Sequence, residues 1–222
     1  MGSRPFSCQS SCLIKKINPK VDFSKKSVSL QRSKNSIIMM TFDDIKHDGR
    51  LWAVHYADEK LNELDKVFTQ WNDAGWLLDF FRENFSDLVS YFKITRLDEA
   101  VYDTMEDSDE LACLIMDINP EANLDELFRP LENTRASEMR LGREKARLKE
   151  RPKHASWLRI YAIKLNPGIY VVTGGAIKLT RTMEEREHTL EELVKLEKVR
   201  QYLVANDVID DDSFTDFIKE KG

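Results

Sequence analysis

The sequence predicts an α+β fold: a small antiparallel β-sheet with an N-terminal helical hairpin and a C-terminal helix. Two observations carry most of it. Residues 156–183 form the one long run of alternating β-branched and aromatic residues in a chain otherwise patterned for helices. Before it, Leu61, Leu64, Val67, Phe68 and Trp71, then Leu77, Leu78, Phe80 and Phe81, recur at three- to four-residue spacing. The Asn-Asp-Ala-Gly at 72–75 interrupts those two stripes and marks a helical hairpin.

In order, residues 1–39 read as a basic, disordered leader or an extension upstream of a translation start at Met39 or Met40. An α+β domain is expected over 40–205, with folded structure beginning near Gly49 and a first strand at 51–56. Helices follow at about 58–71 and 76–84. The acidic stretch 95–125 is helical in spacing, interrupted at 106–110 and ended by Pro120, with Cys113 on its apolar stripe as a core residue. Residues 124–130 read as a short amphipathic turn, and the charged segment over about 95–155 as an insertion. The opening half of 156–183 places Leu158, Ile160 and Ala162 on one face and Trp157, Arg159, Tyr161 and Ile163 on the other. Asn166, Pro167 and Gly168 suit a type II turn, and 169–173 is a second strand. Gly174 and Gly175 admit either a hairpin turn or a bulge in one long strand. Capping boxes at 182–185 and 189–192 offer two starts for a helix through about Ala205, and residues 206–222 hold a short tail helix.

The net charge of −5 conceals a division. Residues 1–40 carry eight Lys/Arg and one Asp, about +7, which leaves about −12 for the rest. Within that acidic body, 135–153 holds eight Lys/Arg against three Glu. Such a cluster steers a phosphate backbone or stands as a solvated loop or helix with its own Glu–Lys pairs. The three cysteines give no disulfide framework and no four-ligand zinc site, and no apolar run reaches the ~18 residues of a membrane span. A cytoplasmic protein without cofactor, metal or membrane partner is the expectation.

Residues 158–161, the turn at Gly168, the strand 169–173 and the run from Gly174 to Thr180 together resemble the RelE/ParE toxin superfamily, nearest its HigB-like branch. That branch carries a hydrophobic-Arg-hydrophobic strand followed by a strand ending in Gly-Phe-x-Lys-Lys-Thr. The resemblance covers about 157–203. It departs where Ala176 replaces the Phe and Leu179 the second Lys, and the chain is longer than a usual member. It implies the toxin of a type II toxin–antitoxin pair, an mRNA interferase cleaving RNA without a metal. Implied partners are mRNA, the ribosome and an antitoxin with a helix-turn-helix domain. A toxin acting on another target such as gyrase, or a noncatalytic interaction module of toxin-like fold, is the alternative.

Metal-free RNA cleavage requires a base for the 2′-OH, positive charge on the phosphorane oxygens and an acid for the leaving oxygen. Arg159, whose guanidinium fork matches phosphate oxygens, Lys178, which matches the first Lys of the family strand, and Tyr161 are the catalytic candidates. Arg140, Arg143, Arg147, Arg181 and His154 are the RNA-binding candidates. Leu158, Ile160, Ile177 and Leu179 are expected to pack under helices, leaving Arg159, Tyr161, Lys178 and Thr180 on an open sheet face.

Overall fold

A computed structural model describes residues 40–116, 124–131, 141–148 and 154–221. The chain divides at Ile37/Ile38 into two units, and every described element belongs to the second. In chain order these are strands β1 (Met40–Asp44) and β2 (Leu51–Tyr56), then helices α1 (Glu63–Trp71), α2 (Ala74–Glu83) and α3 (Phe85–Asp87), the last running into a wide turn at Leu88–Phe92. Helix α4 (Leu97–Met116), a 3-10 turn (Leu124–Glu126), β3 (Phe128–Pro130), β4 (Gly142–Ala146), β5 (Leu158–Asn166) and β6 (Ile169–Ile177) follow. Helices α5 (Glu187–Ala205) and α6 (Asp211–Lys221) complete the unit.

The α+β class holds, with a larger sheet than expected. Six strands run in the order β1-β2-β6-β5-β4-β3, antiparallel except for the parallel β2–β6 pair. Helices lie on both sides. One side packs Leu51, Ala53, Leu158, Ile160, Ala162 and Val172 against α1, α2 and α4. The other packs Phe42, Val54, Ile163 and Val171 against Leu196, Val199 and Leu203 of α5 and Phe214 and Phe217 of α6.

Local chemistry explains the boundaries. Asn62 caps α1 by accepting from the Asp65 amide, and Asp73 caps α2 by accepting from Gly75 and Trp76. Helix α4 passes through 106–110 without a break: Asp103, Thr104, Asp107 and Ser108 are buried there, so polar residues occupy its inner face. Cys113 is half-buried, not a full core residue. The turn between β5 and β6 has Gly168 at φ 81°, the value a type II turn demands.

Three other expectations are corrected, and the alternative left open at Gly174 and Gly175 is decided. Folded structure begins before Gly49, because β1 pairs with β2 through Met40↔Tyr56 to Asp44↔Trp52. Residues 128–130 and 142–146 are strands: Arg143, Lys145 and Arg147 alternate with Glu144, Ala146 and Leu148, which is a strand period. Gly174 and Gly175 lie inside β6 as a bulge, since Tyr161 pairs with Gly174 and Ala162 with Val172, leaving Thr173 extra. Neither capping box opens α5: its N-cap residue is Arg186, with no side-chain cap, and the Thr189 hydroxyl donates to Met183 O and Arg186 O.

On the α4 side of the sheet, β4 also carries Glu144, 7% exposed. Burial pushes its carboxyl up to about 7, with Asp125 adding to the rise and Lys164 opposing it. A folded pKa above the unfolded ~4.3 means that the folded chain binds the proton more tightly. Stability should therefore be greatest below about pH 4.5 and decline until about pH 7, by on the order of 2 kcal/mol. Denaturant titration of Glu144→Gln should show that decline removed and a higher midpoint than wild type at pH 8.

Candidate functional site

The strand register gathers the basic side chains. Paired residues of adjacent strands point to the same side, so Arg129, Lys145 and Tyr161 form one row across β3, β4 and β5. Arg159 lies one step along β5 in the same direction, opposite Ala176. These residues share their sheet side with α5 and α6, but those helices cover only the half built by Ile163, Val171, Val54 and Phe42. The uncovered half is a cleft of about 920 Å³.

Among the described residues, seven cationic side chains line it: Arg129, Arg143, Lys145, Arg147, Arg159, Lys178 and Arg181. Glu184 is the one carboxylate among the described residues of the lining. The segment leading into α5 makes the far wall with Arg181, Thr182 and Met183, and Leu193 of α5 closes one end. That wall is tied down by Arg186, whose Nε and Nη2 both donate to the Asp87 carboxylate at 2.6 Å, and by the Thr182 amide, which donates to Glu185 at 2.6 Å.

Backbone carbonyls aim the cations without cancelling their charge. Arg159 Nη1 donates to Ser156 O at 2.7 Å and Leu158 O at 2.6 Å. Lys145 Nζ donates to Leu131 O at 2.9 Å. Lys178 Nζ donates to Thr180 O and Arg181 O, and Arg129 Nη1 to Asp125 O. Each lysine retains at least one free donor, and Arg159 keeps its Nε and Nη2. At the rim, Arg143 lies 3.7 Å from Glu197 of α5.

Crowding like charges in a half-buried cleft shifts their protonation. Burial, then repulsion from Tyr161's neighbours in the lining, acts in one direction on both lysines: Lys145 is lowered by burial, Arg159 and Arg147, and Lys178 by burial, Arg159 and Lys145. Burial pushes Arg159 down to about 10. The Tyr161 ring is 1% exposed, its hydroxyl makes no hydrogen bond within the protein, and burial holds it far above its ordinary value. It therefore stays neutral and acts as a donor.

Of the residues singled out in the sequence, Arg159, Tyr161, Lys178, Arg143, Arg147 and Arg181 meet in this cleft. Arg140 lies outside the described residues. His154 is elsewhere: its Nε2 faces Asp103 of α4 at 3.1 Å and its ring stacks on Trp157 at 4.2 Å. Thr180 is buried, its hydroxyl donating to Thr182 O at 2.9 Å. Arg129 and Lys145 were not singled out. Lys145 was visible as the middle member of the 143-145-147 alternation, whereas nothing in the sequence marks Arg129, whose strand has three residues.

No family model, curated protein or solved structure matches the chain. Among the described residues, no helix is long and apolar enough to cross a membrane.

Proposed function

We propose that the cleft binds RNA and cleaves it, as the toxin-like mRNA interferase that the strand motifs resemble. One observation carries the reading: among the described residues, seven cations, four of them held by carbonyls, and a single carboxylate line one cleft of an otherwise acidic body. An excess of positive charge in a concave, half-buried site suits a phosphodiester.

The chemistry follows from the side chains gathered in the cleft. The 2′-oxygen of one nucleotide attacks its own 3′-phosphorus, and the bond to the next nucleotide's 5′-oxygen breaks. A 2′,3′-cyclic phosphate and a 5′-hydroxyl result. Lys145 and Lys178, both lowered by burial and by neighbouring cations, supply the acid–base pair: one takes the 2′-OH proton, and the other gives its proton to the 5′-oxygen. Arg159 places its fork on the phosphorane oxygens and the Tyr161 hydroxyl donates to one of them. A cytoplasmic location, an antitoxin with a helix-turn-helix domain and action on ribosome-bound mRNA belong to the same reading.

Induced expression in a bacterial host should arrest growth, and mapped transcript ends should carry cyclic phosphates. Lys145→Ala and Lys178→Ala should each abolish arrest while the purified variants keep wild-type melting temperature. Growth without arrest and intact transcripts for the wild-type chain would sink the interferase reading. Arrest with intact transcripts would favour a toxin acting on another target.

A further inference from the structure

The lining also says how a strand would lie. Arg143 and Lys145 of β4 and Arg147, the residue just past its end, line the cleft at alternate positions. Alternate residues on a strand are roughly 6.7 Å apart, a spacing of the same order as that between successive phosphates of an extended single strand. Bases would need flat aromatic faces to stack on. Among the described residues Tyr161 is the one aromatic in the lining, and it is 1% exposed. Its buried, unpartnered hydroxyl offers the cleft floor a polar contact rather than a stacking surface.

We propose that the cleft grips the backbone of a single RNA strand running along β4, with successive phosphates on Arg143, Lys145 and Arg147 and the bases turned away unread. Resting on the cleft being the RNA site, this deepens that reading in one respect: binding is blind to sequence. Any preference among cleavage positions then comes from outside the cleft, from a partner that presents the strand.

The test uses the full chain and 2′-O-methyl oligonucleotides of about eight nucleotides, which lack the nucleophile and so report binding alone. Fluorescence anisotropy should give affinities for all-U and all-A strands within about threefold of each other. Lys145→Gln and Arg147→Gln should each weaken both equally and reduce the slope of log affinity against log salt by about 0.7. Arg82→Gln, on exposed α2 and paired with Asp79, should change neither. More than tenfold discrimination between the two strands, or salt slopes unmoved by both β4 variants, would overturn the proposal. Sequence-blind binding without cleavage of unmodified RNA would leave it standing and remove the interferase reading. Cleavage accompanied by strongly sequence-dependent binding would do the reverse.

Discussion

Lys195→Met is expected to destabilise the fold by about 3 kcal/mol or more, because it strands two buried carboxylates. Lys195 Nζ donates to Glu63 of α1 and Glu192 of α5, both at 2.6 Å. Glu63 is 2% exposed, and Lys66 stands off at 3.6 Å, too far to replace the lost partner fully. Burial alone would lower Lys195, but Glu192 and Glu63 hold it above its ordinary value. Its contribution is therefore present below the unfolded lysine pKa of ~10.4 and lost only above it. In the variant the sign reverses. Burial already raises Glu192, and without its cation that carboxyl is relieved by a proton. The deficit between wild type and Lys195→Met should shrink as pH falls from 8 to about 4. Urea midpoints across that range measure it, and a deficit independent of pH would show that the pair contributes packing alone.

This network reaches the cleft through one residue. The Glu192 carboxylate lies against Gly174, where an added Cβ would come within 2.0 Å of Oε2, at a φ of 154° that side chains rarely adopt. Gly174 is the partner of Tyr161 across the β5–β6 pair. The bulge, the glycine and the buried ion pair thus fix α5 beside the cleft floor. Gly175 faces the opposite side, where a Cβ would meet Arg159 O at 2.8 Å and Val67 at 3.0 Å. Backbone sits in the way there, so Gly175→Ala should lower stability by about 2 kcal/mol, read as a drop in melting temperature.

Much of this was legible in residue order. Runs of β-branched and aromatic residues found β5 and β6, which bury apolar side chains on both faces, and helical spacing found α1 and α2, whose buried residues recur at three- to four-residue intervals. The second layer was legible too, in a less obvious place. Along one face of β5, Arg159 and Tyr161 give way to Ile163 and Leu165, so that face is polar at one end and apolar at the other. A face divided lengthwise is the signature of a helix covering half a sheet, with the remainder open. Strand β4 was hidden by its charge: a strand whose cleft-facing positions are Arg and Lys lacks the apolar alternation that usually announces one. Strand β3 and its Arg129 are too short to show any period. His154 illustrates the opposite limit, since its neighbours in sequence are basic while its partners in space, Asp103 and Trp157, are set by packing against α4.

Arg159→Met should separate function from stability most sharply. Removing a donor aimed at developing negative charge costs about 10²–10³ in rate, and the same loss is expected in RNA cleavage here. Stability should move the other way. Burial pushes Arg159 down to about 10, and Arg147 deepens the shift, so the folded state holds this charge less readily than water does. A base with a depressed folded pKa opposes folding at every pH below that value. A methionine of similar reach keeps the packing and relieves the repulsion on Lys145 and Lys178, against the loss of two hydrogen bonds to Ser156 O and Leu158 O. The melting temperature should therefore hold or rise, by an amount corresponding to on the order of 1 kcal/mol. Lys145 and Lys178 should also titrate nearer their ordinary range, moving the alkaline limb of any residual cleavage upward in pH. A residue whose loss strengthens the fold and silences the chemistry is held in place by function. Arg159→Met that both unfolds the chain and leaves the pH profile of cleavage unmoved would assign the guanidinium to structure instead.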